Sequence, residues 1–574
     1  MNSSNVITKI ALIGGGPSAL YVCKNLISSA STNIELHIFE KSDTLGAGMP
    51  YSIIGANDEH ITNVSDNEIP ELLSPIHDWV KEAPLELLNH FNIDPTTFNE
   101  YKVLPRLFFG RYLSAQFEKV IALAKTKGIA VHVYLNHKVV DIEDVQTRNE
   151  VIVSTEEDKK RTFNRCIICT GHYWPKTLEG NIPNYYDSPY PPSKLERTFN
   201  HPVAIRGSSL TAIDVIRTLA AAHGRFEKND TGAVCYIRSE TFEDFRMVLH
   251  SRNGLLPAVR IHLEESQASS HNLIHPDQVL ENRKTNNGFL SLDFVFEMAF
   301  KDAIKEKDPD FYARIQHKTM EDFVQLMMRY RLRLNPFSLF EKECVEADIS
   351  IHTHKPIFWK EILAALSYAM NYPAKYFSAE DMLRIQHTLS ELIANIIAFV
   401  PQDSAREILA LHKAGVLDLI RVDRKSTVEP VQTGGAVYSY MDTNGNRQCQ
   451  NYKTFINAFG QAHFPIEVFP FKSLNKKETI SQATLKFKDV YAAETEISKG
   501  NKDVHKNRDG TYSLYVSGIA INDFFQVVDQ NGIGNKRVYI MAVPFISGYN
   551  PDYSGLDFCE RASSVITETI LTID

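Results

Sequence analysis

The chain has 574 residues, which is too long for a single hydrophobic core, so we expect two or three domains. Its composition is that of an ordinary globular protein, with 43% hydrophobic and 23% charged residues and a formal net charge of −9. This charge, without long runs of like sign, argues against a nucleic-acid-binding surface. No stretch of about 18 apolar residues occurs, so no membrane-spanning helix is expected.

The N-terminal segment and the cysteines bear on the cellular compartment. The first apolar run is interrupted by three consecutive glycines and has no basic leader, so it lacks the pattern of a secretory signal peptide. The seven cysteines are odd in number and scattered, which is typical of a reducing compartment. We therefore expect a cytoplasmic protein.

The first forty residues have the pattern of a strand, a turn, a helix and a second strand. Residues 9–13 predict a short buried strand, residues 20–29 a helix, and residues 34–39 the second strand. The turn reads Gly14-Gly15-Gly16-Pro17-Ser18-Ala19, which is the G-x-G-x-x-A spacing of dinucleotide-binding folds. This order of elements favours a nucleotide site over a glycine-rich turn that binds nothing.

Each position of this turn has a physical task. Gly14 permits the tight bend, and Gly16 lets the backbone approach a pyrophosphate. Pro17 lacks an N–H that the first helical turn would leave unpaired anyway, while the other N–H groups and the helix dipole face the anion. Glu40 follows the second strand, where an acid accepts hydrogen bonds from both ribose hydroxyls.

The remainder of the N-terminal part continues as an α/β unit. A glycine-rich loop lies at residues 45–52, and a helix is predicted at residues 105–127. Branched or alternating apolar residues then predict a series of strands, at residues 130–135, 138–142, 151–155 and 166–169.

A second unit repeats this order about 190 residues later. A strand at residues 203–206 leads into the turn Gly207-Ser208-Ser209-Leu210-Thr211-Ala212, a helix at residues 213–222 and a strand at residues 245–250. The recurrence indicates a duplicated architecture.

Residues 290–423 have a different character. Glycine is scarce and apolar residues recur at intervals of three and four, which predicts a helical insert of about 130 residues. Ser404 and Glu407 form a capping-box pattern, Gly415 is a suitable stop, and Ser378 is a weaker helix start. Further strands are then predicted at residues 452–460, 512–516, 525–528 and 537–543, before a final helix at residues 558–571.

The fold class predicted from these elements is α/β, with two Rossmann-like dinucleotide-binding domains and a helical insert. The predicted division is an FAD-binding domain in two parts, an NAD(P)H-binding domain in two parts, and the insert between them. The boundaries are residues 1–200 and 462–574 for the first domain, 201–289 and 424–461 for the second, and 290–423 for the insert.

Five further motifs resemble those of a bacterial family of FAD/NAD(P)-binding flavoproteins. They span most of the chain in the family's order, and some members of the broader group are similar to NADPH-dependent monooxygenases that oxidise amino nitrogen. The motifs are Gly46-Ala47-Gly48-Met49-Pro50-Tyr51-Ser52, His60-Ile61-Thr62-Asn63-Val64, Pro105-Arg106-Leu107-Phe108-Phe109-Gly110-Arg111-Tyr112-Leu113, Ser209-Leu210-Thr211-Ala212-Ile213-Asp214 and Ser251-Arg252-Asn253-Gly254-Leu255-Leu256-Pro257.

The resemblance implies that the first unit holds FAD, that the second holds NADPH, and that the last strand and helix return to the flavin. The cofactor-binding candidates are the residues of the two turns, the loop and the motif positions. They are Gly14, Gly16, Pro17, Ser18, Glu40, Lys41, Gly48, Met49, Pro50, Tyr51, Asn63, Arg106, Gly171, Gly207, Ser208, Ser209, Arg252 and Asp557.

Two positions depart from the pattern of such enzymes. Ser209 stands where a Rossmann turn usually has its second glycine, and a Cβ there crowds a pyrophosphate. The closing strand lacks a Gly-Asp pair for the ribityl chain, and Asp557 is the candidate to replace that acid.

A cation stands where NAD enzymes carry an acid at the end of the second strand. Arg252 takes this place if that strand ends at Ser251, and Arg238 takes it if an earlier strand is chosen. Arginine suits a 2′-phosphate, which favours NADPH over NADH, although a plain surface arginine gives the same pattern.

Side chains near the reacting groups are less clearly marked. His60 and Asn63 either hydrogen-bond the flavin edge or cap a loop. In the insert, Arg329, Arg331 and Arg333 either bind an anionic substrate or oppose a helix dipole. No catalytic residue is assigned, because a bound flavin carries the chemistry.

A redox dithiol and a metal site are not predicted. Cys166 and Cys169 lie within a predicted strand, where residues three apart point to opposite faces, so buried core thiols are expected. Cys344 with His352 and His354 matches no common zinc spacing.

The leading functional hypothesis is an FAD-dependent, NADPH-using monooxygenase. It would use molecular oxygen to oxygenate a small polar substrate, with the amino nitrogen of an amino acid as a candidate site of oxygenation. The alternatives are a flavin-dependent reductase or dehydrogenase and a non-catalytic flavin-binding sensor or scaffold. A small-molecule substrate and oxygen are the expected partners, without nucleic acid or membrane, and a homo-oligomer is left open.

Overall fold

A computed structural model describes residues 7–29, 32–264, 274–546, 548–549 and 555–573. Within these residues no helix is both long enough and apolar enough to cross a bilayer.

The first part of the chain alternates strands and helices. Its elements are β1 (Thr8–Ile13), α1 (Pro17–Ser28), β2 (Ile34–Phe39), β3 (Ile61–Ser65), α2 (Ile76–Glu82), α3 (Leu85–His90), β4 (Val103–Pro105), α4 (Arg106–Thr126), β5 (Ala130–Tyr134), β6 (Val139–Val145), β7 (Glu150–Thr155), β8 (Lys160–Phe163) and β9 (Arg165–Ile168).

The middle of the chain holds a second set of strands that is interrupted by helices. Its elements are β10 (Tyr185–Tyr186), β11 (Pro202–Arg206), α5 (Leu210–His223), β12 (Gly224–Lys228), β13 (Val234–Arg238), β14 (Arg246–Ser251), α6 (Pro276–Thr285), α7 (Leu292–Phe296), α8 (Asp302–Lys307), α9 (Pro309–Ile315), α10 (Met320–Leu332), α11 (Pro336–Thr353), α12 (Phe358–Asn371), α13 (Ala379–Arg384), α14 (Ser390–Ile396), α15 (Gln402–Lys413), β15 (Leu417–Arg421), β16 (Thr427–Pro430), β17 (Ala436–Met441), β18 (Arg447–Tyr452) and β19 (Thr454–Asn457).

The C-terminal part adds strands and a long last helix. Its elements are α16 (Lys472–Lys476), β20 (Gln482–Lys486), α17 (Val490–Ser498), β21 (Val504–Lys506), β22 (Tyr512–Ile519), β23 (Gln526–Val528), β24 (Gly534–Ile540), α18 (Val543–Ile546) and α19 (Gly555–Ile573).

Two main sheets follow the same plan. The first has the order β23-β24-β9-β1-β2-β5, parallel except for the β23–β24 pair, and the second has the parallel order β10-β19-β11-β14-β15. In each sheet the chain first forms a strand, a helix and a neighbouring strand, which are β1, α1 and β2 or β11, α5 and β14. A long connection then leads to an edge strand, β5 or β15. A three-stranded antiparallel meander then precedes the closing strand, β9 or β19, beside the first strand.

The central strands are apolar because a parallel sheet is covered on both faces. Along β1 every residue except Lys9 is buried, and α1 packs Leu20, Val22 and Leu26 against that sheet. The last helix, α19, covers α1: Lys24 pairs with Glu560 at 2.9 Å. The first unit, the C-terminal part and most of the insert thus share one core, whereas the second sheet has its own.

The insert touches both cores. Phe300, Phe323 and Leu363 belong to the core of the first unit, whereas Phe340 on α11 and Ile408 on α15 belong to that of the second. The helices therefore join the two units, as well as forming the connection from β14 to β15.

The elements predicted from local pattern are largely confirmed, with differences at the insert. The helical connection runs from Pro276 to Lys413, and β15 begins at Leu417, inside the stretch predicted to be helical. Ser404 lies within α15, not at its start, so the predicted capping box is wrong. Ser378 caps α13 through the Asp381 N–H, as predicted.

Candidate functional site: two glycine turns and the crevice between them

The turn after β1 is held by the strands on either side of it. Gly14 has a φ of +104°, and a Cβ there would lie 2.8 Å from the carbonyl oxygen of Cys169. The Gly14 N–H donates to the Phe39 carbonyl at 2.8 Å, and the Cys169 N–H donates to the Ile13 carbonyl at 2.9 Å. Only glycine fits this position without moving the end of β9.

Glu40 fastens the same turn from the end of β2. One carboxylate oxygen accepts from the Gly15 N–H at 2.7 Å, and the other accepts from the Ser42 N–H at 2.8 Å and from the Ser42 hydroxyl. The side chain is buried, while Lys41 beside it is exposed. The Glu40 carboxylate is therefore fixed at the end of β2, where the sequence predicted an acceptor for the ribose hydroxyls.

The glycine-rich loop lies directly on the turn. A Cβ on Gly16 would stand 3.2 Å from the Cα of Gly48, and one on Gly48 would stand 2.9 Å from Pro17. The Gly46 N–H also donates to the Gly15 carbonyl at 2.8 Å. The two backbones therefore form one cradle, and the half-buried loop residues Met49, Pro50 and Tyr51 continue from it.

The residues after β9 add unpaired donors at the same edge of the sheet. Thr170 Oγ1 and Trp174 Nε1 are buried and have no hydrogen-bond partner among the described residues. Gly171 between them has open space around it. Buried polar atoms without partners cost about 1–3 kcal/mol each, so these donors suit a ligand that supplies acceptors. Together with the cradle and Glu40 they fit a dinucleotide.

The last helix closes the other side of this turn. Ser18, in the first turn of α1, lies 3.3 Å from the thiol of Cys559 on α19. Asp557 lies in the first turn of α19, which begins at Gly555. The C-terminal segment thus returns to the first glycine turn.

The turn after β11 reproduces this geometry. Gly207 has a φ of +117°, and a Cβ there would lie 2.7 Å from the carbonyl oxygen of Ala458. Its N–H donates to the His250 carbonyl at 3.0 Å, as Gly14 does to Phe39. Ser208 donates to the Leu255 carbonyl at 2.7 Å, whereas Ser209 is exposed.

These hydrogen bonds align the two units residue by residue. Since His250 corresponds to Phe39, Ser251 corresponds to Glu40 and Arg252 to Lys41. The second unit therefore has no acid at the end of its second strand. Arg238 lies in the separate β12–β13 hairpin, so β14 is the strand of the sheet and Arg252 is the cation at its end.

A group of arginines lies at the carboxyl edge of the second sheet. Arg206 ends β11, Arg252 follows β14, and Arg421 ends β15 in register with Ser251. The guanidinium groups of Arg206 and Arg252 lie 5.7 and 5.3 Å from the ring centroid of Phe459. None of the three arginines forms an ion pair with a carboxylate in the part of the chain that the structure describes.

A buried polar cluster joins the first unit to α5 of the second. Asp214 accepts from Arg106 and from the Tyr190 hydroxyl, both at 2.7 Å. Burial alone would raise the pKa of the Asp214 carboxyl, but the Arg106 charge and the other groups around the carboxylate, including the hydrogen bonds from Arg106 and Tyr190, together hold that pKa below its usual value. This aspartate is therefore ionised in the fold.

His60 lies at the same interface with no exposed surface. Its Nδ1 accepts from the Asn57 N–H at 2.9 Å, and its Nε2 lies 3.1 Å from both the Asp214 carbonyl and the Thr218 hydroxyl. Burial lowers the pKa of the ring, so His60 is neutral with its proton on Nε2.

Comparison with known proteins matches two segments of the chain to families. Residues 11–173, which contain the first glycine turn and β9, match the FAD-NAD(P)-binding family. Residues 275–397, the helices between β14 and β15, match the YdhS-like middle domain.

The chain carries an FAD/NAD(P)-binding domain. Its fold is of the FAD/NAD(P)-binding kind, and FAD and a pyridine nucleotide are the cofactors named in the description of that family.

Similar whole proteins were found in sequence and in structure. The protein YdhS of Escherichia coli (strain K12), itself uncharacterised, is 28% identical over 476 residues, which are 82% of this chain and 86% of that protein. Structures with a similar chain course include an ornithine N-hydroxylase of Kutzneria sp. 744 (TM-score 0.45, 11% identity, 99% of each chain). Another is the bacillithiol disulfide reductase of Staphylococcus aureus (TM-score 0.43, 11% identity, 99% of this chain and 98% of that one). Likenesses this distant carry no conclusion about the reaction.

Two residues predicted to contact a cofactor lie at the junction of the two units. His60 was a candidate for the flavin edge, but both of its ring nitrogens are occupied at the interface with α5. Arg106 is committed to Asp214 and to the Ile61 carbonyl, so it also acts at the junction of the units. Asn63 lies on β3, and its carbonyl oxygen accepts from the buried Arg260.

The three arginines of the insert do not form one substrate clamp. Arg331 is buried and pairs with Glu343 at 2.6 Å, and Lys360 joins the same carboxylate at 3.2 Å. Arg329 and Arg333 are exposed and line a cavity of about 420 Å³ together with Met328 and His387. The prediction that all three bind substrate is therefore wrong for Arg331.

The cysteines are placed as the sequence predicted. Cys166 lies in β9 and Cys169 directly follows it; both are buried, and burial raises the pKa of each thiol. All seven cysteines are free thiols.

Sequence reasoning missed several residues of the crevice. No local spacing in the sequence marks Tyr190, Trp174 or Arg421. Each lies far along the chain from the residues that stand beside it in the fold. Asp214 did carry a signal, because it is the one acid in an apolar helix face formed by Ala212, Ile213 and their neighbours.

Proposed function

We propose that the protein is an FAD-dependent, NADPH-using monooxygenase that oxygenates a small polar substrate. The observation that carries the proposal is the duplicated nucleotide-binding geometry. Gly14 and Gly207 each pack against the carbonyl of a closing strand, and each turn lies at the carboxyl edge of its own parallel sheet. Ligands bind at that edge in open α/β sheets. One edge would hold FAD, and the other the nicotinamide nucleotide.

The charge of the second edge supports NADPH as the electron donor. Ser251 replaces the acid that would repel a 2′-phosphate, and Arg252 follows it. With Arg206 and Arg421 on the neighbouring strands, this edge offers guanidinium groups that are not neutralised by carboxylates of the described residues. Arginine recognises phosphate through charge-assisted hydrogen bonds.

Ser209 does not argue against a nucleotide here. It has the backbone conformation of Gly16, with φ of −88° against −80°, and its side chain is exposed. Its hydroxyl can donate to a phosphate oxygen instead of blocking it.

When bound, the flavin supplies hydride acceptance and reaction with oxygen. The chain's own residues would bind and orient it: Glu40 at the ribose, the glycine cradle at the pyrophosphate, and Thr170 and Trp174 as donors. The insert, which packs on both units, would exclude water from the crevice.

The cysteine arrangement favours oxygen or a small acceptor over a dithiol relay. A reactive thiol needs a depressed pKa and access to solvent. Cys166 and Cys169 have raised pKa values and are buried, while the exposed Cys235 and Cys449 lie on separate sheets, β13 and β18. A nitrogen atom of an amine or amino acid as the site of oxygenation is supported by the resemblance of the sequence motifs to nitrogen-oxidising flavoproteins.

The test is the visible spectrum of the purified protein with NADPH, first without oxygen and then in air, followed by a screen of amines and amino acids. The monooxygenase proposal expects anaerobic bleaching of the flavin, return of colour in air, and a substrate that gains one oxygen atom. Bleaching with turnover of artificial acceptors but no oxygenated product would instead indicate a reductase. Failure of NADPH to bleach the flavin would indicate a non-catalytic flavin-binding protein.

A further inference from the structure

Three metal-binding side chains meet at the edge of the first sheet. His37 on β2 lies directly opposite His132 on the edge strand β5, and Glu35 precedes His37 by two residues, on the same face. Glu35 Oε1 lies 2.8 Å from His37 Nε2 and 3.3 Å from His132 Nε2. The two imidazole rings stack, with centroids 4.5 Å apart and planes 20° from parallel.

Both Nε2 atoms lie within 3.3 Å of the same carboxylate oxygen of Glu35, and that of His37 is hydrogen-bonded to it. His37 Nδ1 lies 3.2 Å from the Tyr134 hydroxyl, which fixes that ring from its other side. Outer partners of this kind orient the imidazole ligands of metal ions. His37 is almost fully buried, while 46% of the His132 side chain is exposed, so one side of the cluster is open to solvent.

The donor set is that of a transition-metal site. Imidazole nitrogen and carboxylate oxygen together suit zinc and its neighbours in the first transition series. Ligands at about 2.0–2.2 Å from such an ion stand roughly 3–3.5 Å from one another. The separations of 2.8 and 3.3 Å lie close to that range, so an ion would take the place of the hydrogen-bond proton between Glu35 and His37, with a small shift of the Glu35 carboxylate and a turn of the exposed His132 ring.

We propose that Glu35, His37 and His132 bind one divalent transition-metal ion of the zinc class, with the remaining coordination positions open to water on the solvent side. The signal could not be found in the sequence, because Glu35 and His37 are far from His132 along the chain and spaced as an ordinary strand. It arises from the register of β2 and β5.

This site is separate from the nucleotide crevice. Glu35 lies near the amino end of β2 and Glu40 just beyond its carboxyl end, roughly 16 Å away at the rise of a strand. The ion would join the edge strand β5 to β2 and so stabilise the first unit, without taking part in the flavin chemistry. The inference is therefore independent of the proposed reaction.

The experiment uses the full chain with its bound flavin, freed of metal by a chelator and then dialysed. Zn²⁺ is titrated by calorimetry, and Co²⁺ is used as a spectroscopic probe of the ligands. We expect saturation at one equivalent, a rise in melting temperature with Zn²⁺, and an unchanged flavin spectrum.

Variants identify the ligands. Loss of an outer partner already weakens metal binding by about 10–100-fold, so His132→Ala and Glu35→Gln should each weaken Zn²⁺ by at least about tenfold. His90→Ala is the matched control, because His90 is an exposed histidine that pairs only with Asp58. Unchanged affinity in both His132→Ala and Glu35→Gln, or no saturable binding to the wild type, would overturn the proposal. His132 is exposed on an edge strand, so its variant should fold.

Discussion

At the scale of single residues, the glycines of the cradle are fixed by what surrounds them. Gly16 faces the Cα of Gly48, and Gly14 faces the carbonyl of Cys169. Neither neighbour is a flexible side chain that can turn away, since both are backbone. The requirement for glycine at these positions is thus steric and does not depend on a ligand. A bound pyrophosphate would be a second reason for the same requirement.

Gly16→Val should release FAD, because the new side chain would push the loop at Gly48 away from the turn and fill the space of the pyrophosphate. Flavin occupancy is measured from the absorbance ratio of the purified variant. Gly128→Ala is the control: Gly128, unlike Gly16, has a positive φ, but nothing lies within 4 Å of its Cβ position, so the variant should lose some stability and keep its flavin. Full flavin occupancy in Gly16→Val would contradict the first glycine turn as a binding site.

Arg252→Ala should narrow the preference for NADPH over NADH. One charge-assisted hydrogen bond is worth about 1.5–3 kcal/mol, which corresponds to at least about a tenfold change in the ratio of kcat/KM values. Arg238→Ala is the matched control, because Arg238 lies in the β12–β13 hairpin and, among the residues that the structure describes, donates a hydrogen bond to the Phe245 carbonyl. Equal behaviour of the two variants would exclude Arg252 as the reader of the 2′-phosphate.

At the scale of elements, the strands and turns of the nucleotide units could be predicted because their signals are local. The apolar run of β1, the glycines after it and the acid after β2 all lie within forty residues. The β16–β18 meander was not predicted. Its last strand, β18, alternates polar residues such as Gln448 and Gln450, although β17 places Tyr438 and Tyr440 in a core cluster. The partners of His60 and Asp214 were also out of reach, since they meet only when the two units pack.

The insert shows the same limit of prediction from sequence, here for the roles of its charged side chains. Arg329, Arg331 and Arg333 look alike in the sequence, but α10 turns Arg331 toward α11 and the other two toward solvent. Only the tertiary contact with Glu343 and Lys360 separates a structural arginine from two that line a cavity.

Arg331→Ala should destabilise the protein by about 1.5–3 kcal/mol, because it removes a charge-assisted hydrogen bond from the buried Glu343 while Lys360 stays paired with that carboxylate. Arg329→Ala and Arg333→Ala are its matched controls on the same helix and should stay within about 0.5 kcal/mol of wild type. Urea denaturation followed by circular dichroism compares the three. If Arg331→Ala unfolds at the same urea concentration as the other two, the buried triad does not hold the insert.

At the scale of the whole molecule, the two units are joined by buried polar contacts as well as by the insert. Arg106 comes from the first unit and Asp214 from the second, while Tyr190 lies on the segment that connects them. A buried charge pair of this kind is sensitive to loss of either partner, and its geometry specifies how the units are oriented.

Asp214→Asn should destabilise the protein by about 3–5 kcal/mol, because Arg106 would stay buried without its counter-charge. Asp348→Asn is the control, since Asp348 forms an exposed pair with Arg406 at 2.8 Å and should cost less than about 1 kcal/mol. Thermal unfolding at neutral pH measures both. If Asp214→Asn lowers the melting temperature by no more than Asp348→Asn does, the cluster does not hold the units together.

Lowering the pH should weaken the junction between the two units, and the pH range of this loss identifies the contribution of His60. Burial depresses the pKa of His60 below the ordinary value of 6.5, so the unfolded chain binds a proton there before the folded one does. Stability from this group is therefore complete above pH 6.5 and is lost as pH falls below it toward the folded pKa. The pKa of Asp214 is also depressed, but its contribution to stability is lost only below about pH 3.8, so Asp214 does not account for a loss that begins just below pH 6.5.

The histidine is tested with His60→Gln, whose amide can donate to the Asp214 carbonyl but takes up no proton. Melting temperatures between pH 7.5 and 5 should fall less steeply in this variant than in the wild type. The other buried histidines keep part of the slope: burial lowers the pKa of His250 to about 4, for example. His90→Gln, at an exposed histidine, should leave the slope as it is. Identical slopes for His60→Gln and the wild type would mean that His60 is not held neutral at the junction of the two units.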